Sequence, residues 1–470
     1  MYAFFVVITI LFAICYCIGV HGKPAIKQSF RAAGYQAYYY LLGSKGILED
    51  YVYAENNKTH LLPKVGEVAV ITGGARGIGV QVVKKLLQCG MHVVIGCRNI
   101  EAGERVTKVI KSCGTVSGEV TCFQLDVGAF KSIKTFAELV LKRFPRIDLL
   151  VNNAGIMFVP YAKSEDGFES HFAVNYLGHC LLTHLLLPRM IDTAKEKGTN
   201  CRIVNVSSCA HLAGSINFKD LSMSTCYIPS ASYAQSKLAQ VIFTKSLDSK
   251  LRKHNIPVQV HAVHPGIVNT ELFNGTLLKT IAPWIPPLVF KTPTQGAETI
   301  VHACLAPALE GCGGSYLSNC RETAVSREAD DQEVQDKLWS IMLSLIEVEK
   351  FANLLGSTPN FPLNYNCPLK SENGLLFLAV YTVRHIERCF QVIKHFINFF
   401  IHVAKGVASA VLLFQHRLQQ YGHERWNYSA VKASEAAGFS SMKKKARDDG
   451  HYGAMLEWYR GHKDIRYQFN

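Results

Sequence analysis

The amino-acid sequence predicts an α/β fold in which a doubly wound parallel sheet carries helices on both faces. Over residues 63–351, short runs rich in Val, Ile and Leu alternate with longer segments of helical periodicity, which is the pattern of repeated strand–helix–strand units. The apolar runs show little polar alternation, as is typical of strands buried on both faces. We therefore expect strands at residues 67–73, 92–98, 120–127, 147–152, 202–207, 258–263 and 314–317, with helices between them, including those that contain residues 80–89 and 178–192.

Composition narrows the class of protein. The chain has 470 residues, of which 49% are hydrophobic and 18% are charged, and this balance excludes a disordered or fibrous chain. The formal net charge of +14 is compatible with nucleic acid or with an anionic membrane surface. Because the sequence carries no nucleic-acid-binding signature, we expect no nucleic-acid partner.

The fifteen cysteines lie singly in apolar runs, without a pairing pattern, and their number is odd. We predict that they are buried thiols, which favours a reducing compartment. Neither a CxxC pair nor an HExxH motif occurs in the sequence. The sequence therefore predicts no metal site.

A glycine-rich turn directly follows the first predicted strand. It spans residues 72–79 (TGGARGIG) and opens an amphipathic helix. The glycines permit a tight turn and let backbone N–H groups approach a pyrophosphate at the N-terminus of that helix. The sequence therefore predicts a dinucleotide site that includes Gly73, Arg76, Gly77, Ile78 and Gly79.

Further short motifs follow along the chain, several of them at the ends of predicted strands. They contain Asp126 (in LDV), Asn153, Ala154 and Gly155 (in NNAG), Asn175 (in FAVN), Ser208 (the second serine of SS), Tyr233 and Lys237 (in YAQSK), and Pro265, Gly266 and Thr270 (in HPGIVNT). With the glycine-rich turn and in this order, the motifs resemble the short-chain dehydrogenase/reductase family, in its retinol-dehydrogenase-like branch. The resemblance covers residues 63 to about 342 and implies a Rossmann-like doubly wound parallel sheet and an oxidoreductase.

Tyr233 and Lys237 are the predicted acid/base pair. They lie four residues apart in a helical segment and so share one face, although such a pair on its own is common on helix surfaces. A nearby cation and the positively charged nicotinamide both stabilise a phenolate, so we expect Lys237, together with the bound cofactor, to lower the pKa of Tyr233. The resemblance implies that Ser208 holds the substrate oxygen and that Lys237 also bonds the nicotinamide ribose. It further implies that Asn175 anchors a water that relays the proton.

The charge at the end of the second strand indicates which nicotinamide cofactor is preferred. An acidic residue there would bond the ribose 2′-OH of NAD(H), but the strand ends with Arg98, and Arg76 adds a second cation. Two guanidinium groups suit a 2′-phosphate, so we expect NADP(H) to be preferred, with NAD(H) possible. The resemblance implies that Asp126 contacts adenine, that the NNAG residues line the cofactor, and that Pro265, Gly266 and Thr270 lie near nicotinamide.

The expected substrate is a lipophilic alcohol or carbonyl. Residues 271–290, where the family has its substrate-covering loop, are strongly apolar and include Leu277 and Trp284. Such a run is expected to line an apolar pocket or to enter a membrane. Retinoid, polyisoprenoid and sterol compounds are the classes that the resemblance implies.

The N-terminal residues suggest a membrane anchor. Residues 1–20 contain no charge, and the first basic residues follow them, at Lys23, Lys27 and Arg31. This arrangement favours a signal anchor with the bulk of the chain in the cytosol, whereas a cleaved signal peptide would make the protein lumenal or secreted. Residues 21–62 are predicted to be a linker with a tyrosine-rich interfacial stretch.

The C-terminal extension, residues 356–470, lies outside the family resemblance. Between residues 375 and 416 the chain is mainly apolar, with a polar stripe at helical spacing formed by Arg384, Arg388, Gln391, His395, Asn398, His402, Lys405 and Ser409. A basic amphipathic helix is typical of binding to membrane lipids. Packing on another protein, or a fusion with no common function, are the alternatives, and the tail beyond residue 420 is polar.

These observations predict a membrane-anchored oxidoreductase, at the endoplasmic reticulum or lipid droplets, that acts on a lipophilic alcohol or carbonyl. The alternatives are a lumenal or secreted dehydrogenase of the same family and a non-catalytic, nucleotide-binding scaffold that recruits partners through the extension. The sequence leaves the direction of the reaction and the oligomeric state open.

Overall fold

A computed structural model describes residues 26–353, apart from residues 113, 115, 275, 277, 278 and 281. The predicted anchor at residues 1–20 and the predicted extension at residues 356–470, with its amphipathic helix at 375–416, lie outside the described residues. Within the described part of the chain, each helix is too short or too polar to span a bilayer.

The described residues form one eight-stranded sheet. Its strands are β1 (Val68–Thr72), β2 (His92–Cys97), β3 (Val120–Gln124), β4 (Leu149–Asn152), β5 (Cys201–Val206), β6 (Val258–His264), β7 (Tyr316–Ser318) and β8 (Arg321–Glu322). Their order is β3-β2-β1-β4-β5-β6-β7-β8, and every neighbouring pair is parallel except β7 with β8. Each predicted strand is present with slightly different ends, and the short antiparallel β8 is an addition to the prediction.

Helices cover both faces of the sheet. They are α1 (Ile26–Val52), α2 (Gly77–Gln88), α3 (Ile100–Ser112), α4 (Phe130–Arg143), α5 (Gly178–Lys197), α6 (Pro229–Lys253), α7 (Ile285–Val289), α8 (Pro293–Leu305), α9 (Arg327–Asp330) and α10 (Gln332–Leu345). Along β1, Val68 and Val70 belong to the core shared with α4, α5 and α6, whereas Ala69 and Ile71 belong to the core shared with α2 and α8. Burial on both faces therefore explains the uninterrupted apolar runs of the sequence.

The topology brings the candidate functional residues together at the carboxyl ends of the strands. The chain crosses from the β1–β2–β3 side of the sheet to the β4–β5–β6 side, so β1 and β4 are adjacent at the switch point. Ligands of open α/β sheets bind outside the carboxyl ends of the strands at this point. The glycine-rich turn follows β1 there, and the NNAG motif begins at the end of β4.

The predicted linker at residues 21–62 requires a correction. Residues Ile26–Val52 form the 27-residue helix α1, and this helix contacts the domain through side chains that include Tyr35, Gln36 and Asp50. The Tyr35 hydroxyl donates to the Ala213 carbonyl at 3.2 Å, and the Gln36 side chain accepts from Ser230 Oγ at 2.7 Å. The segment is therefore part of the folded domain, because its amphipathic pattern packs on protein.

The prediction that all cysteines are thiols is wrong for Cys312 and its disulfide partner. Nine cysteines in the described part of the chain are free: Cys89, Cys97, Cys122, Cys180, Cys201, Cys209, Cys226, Cys304 and Cys320. Cys312 is disulfide-bonded, a pairing that no spacing pattern in the sequence indicates.

Candidate active site

At the end of β1, the glycine-rich turn brings the backbone of Gly73 close to that of Gly79. Gly73 and Gly77 adopt φ angles of +70° and +55°, in the left-handed region that glycine enters without a steric penalty. A Cβ atom at Gly79 would lie 2.2 Å from the Gly73 carbonyl oxygen, so only glycine fits there. The turn therefore leads directly into the N-terminus of α2, whose partial positive charge favours an anion.

The NNAG motif fastens this turn to the end of β4. The backbone N–H groups of Asn153 and Ala154 both donate to Thr72 Oγ1, each at 2.9 Å. The Asn153 side-chain amide donates to the carbonyls of Thr72 at 2.9 Å and Gly73 at 3.2 Å. Asn153 thus holds the predicted cofactor turn in place through hydrogen bonds of its own backbone and side chain.

Tyr233 and Lys237 lie together on α6 and are buried, with 5% and 4% of their surfaces exposed. The Lys237 ammonium group lies 5.8 Å from the centroid of the Tyr233 ring. It donates to the Val206 carbonyl at 2.8 Å and to Gln240 Oε1 at 3.0 Å. The predicted pair therefore shares one buried face next to the end of β5.

Within the chain alone, the pKa of Tyr233 shifts in the direction opposite to the one expected with nicotinamide bound. Burial raises the pKa of Tyr233, although a hydrogen bond with the Ser208 side chain opposes that effect. Burial also lowers the pKa of Lys237 to about 7. Because Lys237 directs its hydrogen bonds at Val206 and Gln240, desolvation dominates the electrostatics of the pair.

Ser208 lies between β5 and the face of α6 that carries Tyr233 and Lys237. It lies just beyond β5, and its Oγ caps a 3-10 helix (Cys209–Ala213) by accepting from the Ala210 N–H at 3.2 Å. The neighbouring Ser207 Oγ donates to the Lys237 carbonyl at 2.8 Å. The structure thus brings Ser208, Tyr233 and Lys237 together at the carboxyl edge of the sheet.

Asn175 lies in a π-helical turn (Ala173–Leu177) immediately before α5. Its Oδ1 accepts from the Ile156 N–H at 2.9 Å, and its Nδ2 donates to the Ile156 carbonyl at 3.0 Å and to Ser236 Oγ at 2.9 Å. A Cβ atom at Gly155 would lie 3.3 Å from Asn175 Oδ1 and 3.7 Å from Lys237 Nζ. Asn175 and Lys237 therefore converge on the backbone of Gly155.

The segment after β6 lies against the glycine-rich turn. Gly266 has a φ angle of +91°, and the Thr270 side chain caps a 3-10 helix (Glu271–Phe273). A Cβ atom at Gly77 would lie 3.5 Å from Thr270 Cγ2. Thr270 thus lies next to Gly77 of the glycine-rich turn, and Pro265 and Gly266 connect β6 to this segment.

The remaining predicted cofactor residues border the same edge. Arg76 precedes α2, Arg98 follows β2, and both are exposed. Asp126 follows β3, and its Oδ1 accepts from the Gly128 N–H at 2.8 Å. Ile78 packs on the apolar core beneath α2, so its side chain supports the turn.

The predicted substrate residues are only partly described. Leu277 lies outside the described residues, and Trp284 precedes α7 with 45% of its surface exposed. Leu288, within α7, is 63% exposed. The described part of this segment therefore presents large apolar side chains to solvent.

Comparison with known proteins identifies the family. Residues 67–279 match the short chain dehydrogenase family. The chain is 42% identical over 287 residues to polyprenol dehydrogenase of Homo sapiens, an alignment that covers 59% of this chain and 84% of that relative. It is 39% identical over 284 residues to retinol dehydrogenase 12 of Mus musculus, covering 60% of this chain and 87% of the relative.

The chain belongs to the short-chain dehydrogenase family. It falls in the retinol-dehydrogenase-like branch and is an oxidoreductase that acts on CH–OH groups.

Several residues beside the site of this short-chain dehydrogenase were not predicted. The Phe158 ring lies 5.8 Å from that of Tyr233 and 5.6 Å from that of Tyr39 on α1. The His171 ring lies 6.2 Å from that of Tyr233 and is paired with Glu169 at 2.8 Å. The tyrosine-rich stretch signalled an interface, but nothing in the sequence indicated that this interface is the active-site wall.

Proposed function

We propose that this short-chain dehydrogenase interconverts a lipophilic alcohol and its carbonyl, with NADP(H) preferred over NAD(H) as cofactor. In the proposal, Ser208, Tyr233, Lys237 and Asn175 form the catalytic group. The observation that carries the proposal is that the buried Tyr233 ring, with the Lys237 ammonium 5.8 Å from its centroid, packs against the 3-10 helix that Ser208 caps.

The geometry of the glycine-rich turn fits a dinucleotide. A side chain at Gly79 would collide with the Gly73 carbonyl, so the turn packs tightly against the start of α2, whose N-terminus favours a pyrophosphate. Hydride transfer is the chemistry that a nicotinamide cofactor supplies when bound. The residues proposed to hold it are those predicted from the motifs: Gly73, Arg76, Gly77, Ile78, Gly79, Arg98, Asp126, Asn153, Ala154, Gly155, Tyr233, Lys237, Pro265, Gly266 and Thr270.

Tyr233 is proposed to hold the proton that the reaction moves. Because burial raises the pKa of Tyr233, the phenol keeps its proton at neutral pH and can donate it to a carbonyl oxygen. In the oxidative direction the phenol must first lose that proton. Ser208, which lies near the phenol, is proposed to hold the same substrate oxygen, and Asn175 to anchor the water that connects this site to solvent.

The NADP(H) preference rests on charge at the edge of β2. Arg98 follows this strand, at the position where an acidic residue would bond the ribose 2′-OH of NAD(H). Arg76 precedes α2 at the end of the neighbouring β1 turn, and both guanidinium groups are exposed. Two available guanidinium groups favour a phosphate dianion over an uncharged hydroxyl.

A lipophilic substrate is supported by the walls of the site. The aromatic rings of Phe158 and Tyr39 lie next to Tyr233, and the exposed Trp284 and Leu288 lie on the segment proposed to cover the substrate. Relatives of this chain are named for polyprenol and retinol. We therefore propose a retinoid, polyisoprenoid or sterol substrate, with Leu277 and Trp284 in the pocket.

The test is turnover of retinal and of a polyprenal by the purified full chain with NADPH. Tyr233→Phe removes the proposed proton donor, and we expect it to lower kcat by about 10²–10⁴-fold. Tyr161→Phe is the matched control, because it removes a phenol hydroxyl from a side chain that is 40% exposed. Unchanged turnover by Tyr233→Phe would show that the acid/base assignment is wrong.

We further propose a membrane-anchored enzyme whose catalytic domain faces the cytosol, at the endoplasmic reticulum or lipid droplets. The alternative is a lumenal or secreted enzyme, which would meet the glycosylation machinery. The sequence has sequons at Asn57, Asn205, Asn274 and Asn427. The Asn57 and Asn205 side chains are buried, Asn274 is exposed, and Asn427 lies outside the described residues. Glycosidase-sensitive mobility that disappears in Asn274→Gln would therefore favour the lumenal alternative, and unmodified Asn274 the cytosolic one.

A further inference from the structure

A buried ion pair connects α1 to the segment after β6. The Lys291 ammonium lies 2.9 Å from Asp50 Oδ1, and the two side chains are only 7% and 8% exposed. Asp50 lies near the end of α1, outside residues 67–279 that match the family. The pair therefore joins an N-terminal element of this chain to the segment that follows β6.

The carboxylate of Asp50 is used on both oxygens. Its Oδ2 accepts from the Ile267 N–H at 2.8 Å, and its Oδ1 also accepts from Asn319 Nδ2 at 3.2 Å. Lys291 Nζ completes the group by donating to Asn319 Oδ1 at 2.5 Å. Each member of this buried cluster is thus held by at least two partners, and Asp50 also holds the backbone of residues 265–270 through the Ile267 N–H.

Lys291 also holds this backbone through its own main chain. Its N–H donates to the Ile267 carbonyl at 2.9 Å, and its carbonyl accepts from the Asn269 N–H at 2.9 Å. Asp50 and Lys291 therefore both hold the backbone at Ile267, and Lys291 also holds it at Asn269. The restraint acts directly next to Pro265 and Gly266.

Gly266 lies in contact with the ion pair. A Cβ atom at this glycine would lie 2.5 Å from Lys291 Cδ, 2.8 Å from Lys291 Nζ and 2.8 Å from Asp50 Oδ2. Neutralising Asp50 would leave a buried ammonium without its counter-ion and weaken the acceptor of the Ile267 N–H, and both effects are costly in a buried position. If the side chains of Asp50 and Lys291 then move apart, the backbone of residues 265–270 is expected to move with them.

We propose that Asp50 is a positioning residue for the cofactor site, which makes α1 an integral part of that site. In this proposal, Asp50 fixes the position of the backbone of residues 265–270, and this backbone contacts the nicotinamide end of the cofactor. This inference rests on the proposed function, because that proposal assigns Pro265, Gly266 and Thr270 to cofactor binding.

The test compares Asp50→Asn with Asp148→Asn in the full chain. Asp148 is a matched control: its buried carboxylate accepts from the Val68 N–H at 2.9 Å and pairs with Arg146 at 2.6 Å, but it lies before β4, at the opposite edge of the sheet. We expect Asp50→Asn to raise the dissociation constant and the KM for NADPH at least tenfold. With saturating NADPH, kcat should fall less than threefold, and hydrogen exchange at the Ile267 amide should accelerate.

Two further variants separate positioning from general stability. Asp50→Glu keeps the charge and should recover part of the affinity for NADPH. The double variant Asp50→Asn/Lys291→Met removes the buried ammonium group that Asp50→Asn leaves without a counter-ion. It should therefore fold even if Asp50→Asn does not, and it should still bind NADPH weakly.

The inference is overturned if Asp50→Asn, or the double variant, binds NADPH as tightly as Asp148→Asn does. It is also overturned if kcat falls while the KM for NADPH stays constant. Failure of the proposed function gives a different result, in which the unaltered chain itself binds neither NADPH nor NADH.

Discussion

Replacing Lys237 with methionine should make the protein more stable and inactive. Burial lowers the pKa of Lys237 from 10.5 to about 7, and a difference of roughly 3.5 units corresponds to about 5 kcal/mol of unfavourable free energy at pH 7. Lys237→Met also loses the hydrogen bonds to Val206 and Gln240, which offsets about 2–3 kcal/mol of that gain. We therefore expect a net stabilisation of about 2 kcal/mol at pH 7.

The pH dependence identifies the cause. The pKa of Lys237 is lower in the folded chain than in the unfolded chain, so between pH 7 and 10.5 the unfolded chain binds more protons and the natural protein gains stability as the pH rises. The advantage of Lys237→Met should therefore shrink by up to about 1.4 kcal/mol per pH unit above pH 7 and vanish near pH 9. Below pH 7, where both states are protonated, the advantage should be constant.

Urea unfolding at pH 6, 7.5 and 9 measures these differences, and NADPH-dependent turnover measures the loss of activity. Lys108→Met is the matched control, because it removes a lysine whose side chain is exposed. If Lys237→Met were less stable than the natural protein at pH 6, or if the difference did not depend on pH, the burial argument would be wrong.

Three other predictions concern the turn, the cofactor and acid stability. Gly79→Ala places a methyl group against the Gly73 carbonyl, so it should cost about 1–3 kcal/mol in thermal unfolding and weaken NADPH binding; tight NADPH binding by this variant would contradict the proposed path of the cofactor. Arg98→Asp should lower the ratio of kcat/KM for NADPH to that for NADH by about 10–100-fold, whereas an unchanged ratio would remove Arg98 from 2′-phosphate recognition. Burial raises the pKa of Asp148, but hydrogen bonds led by that from Arg146 more than offset this and lower it below its ordinary value. Asp148→Asn should therefore destabilise the protein at neutral pH, and this deficit should shrink as the pH falls below about 4; a deficit of the same size in urea unfolding at pH 3 and pH 7 would refute this.

Local patterns in the sequence predict the sheet and the order of the motifs because these features depend on neighbouring residues. A strand buried on both faces needs apolar residues at every position, and a tight turn beside a phosphate site needs glycine at particular positions. The ends of strands could not be predicted to the residue. At the end of β3, for example, the chain leaves the sheet before Asp126, whose side chain instead bonds Gly128.

Contacts between distant parts of the chain could not be predicted in this way. The amphipathic character of α1 is visible in the sequence, but the partner of its apolar and charged groups is not. Asp50 and Ile267 are separated by 217 residues, and no spacing rule relates them. The interpretation of residues 21–62 as a linker was wrong because a helix that packs on a protein and a helix that lies on a membrane have the same periodicity.

The chain's own residue order thus determined the α/β class, the glycine-rich turn, and the four-residue spacing that puts Tyr233 and Lys237 on one helical face. Only the tertiary structure decided their electrostatics. A phenol and an ammonium acquire shifted pKa values through the solvent they lose and the partners they meet, and both depend on how β5, α6 and α1 come together. The sequence therefore predicted which groups meet, but burial reversed the expected effect on the Tyr233 proton.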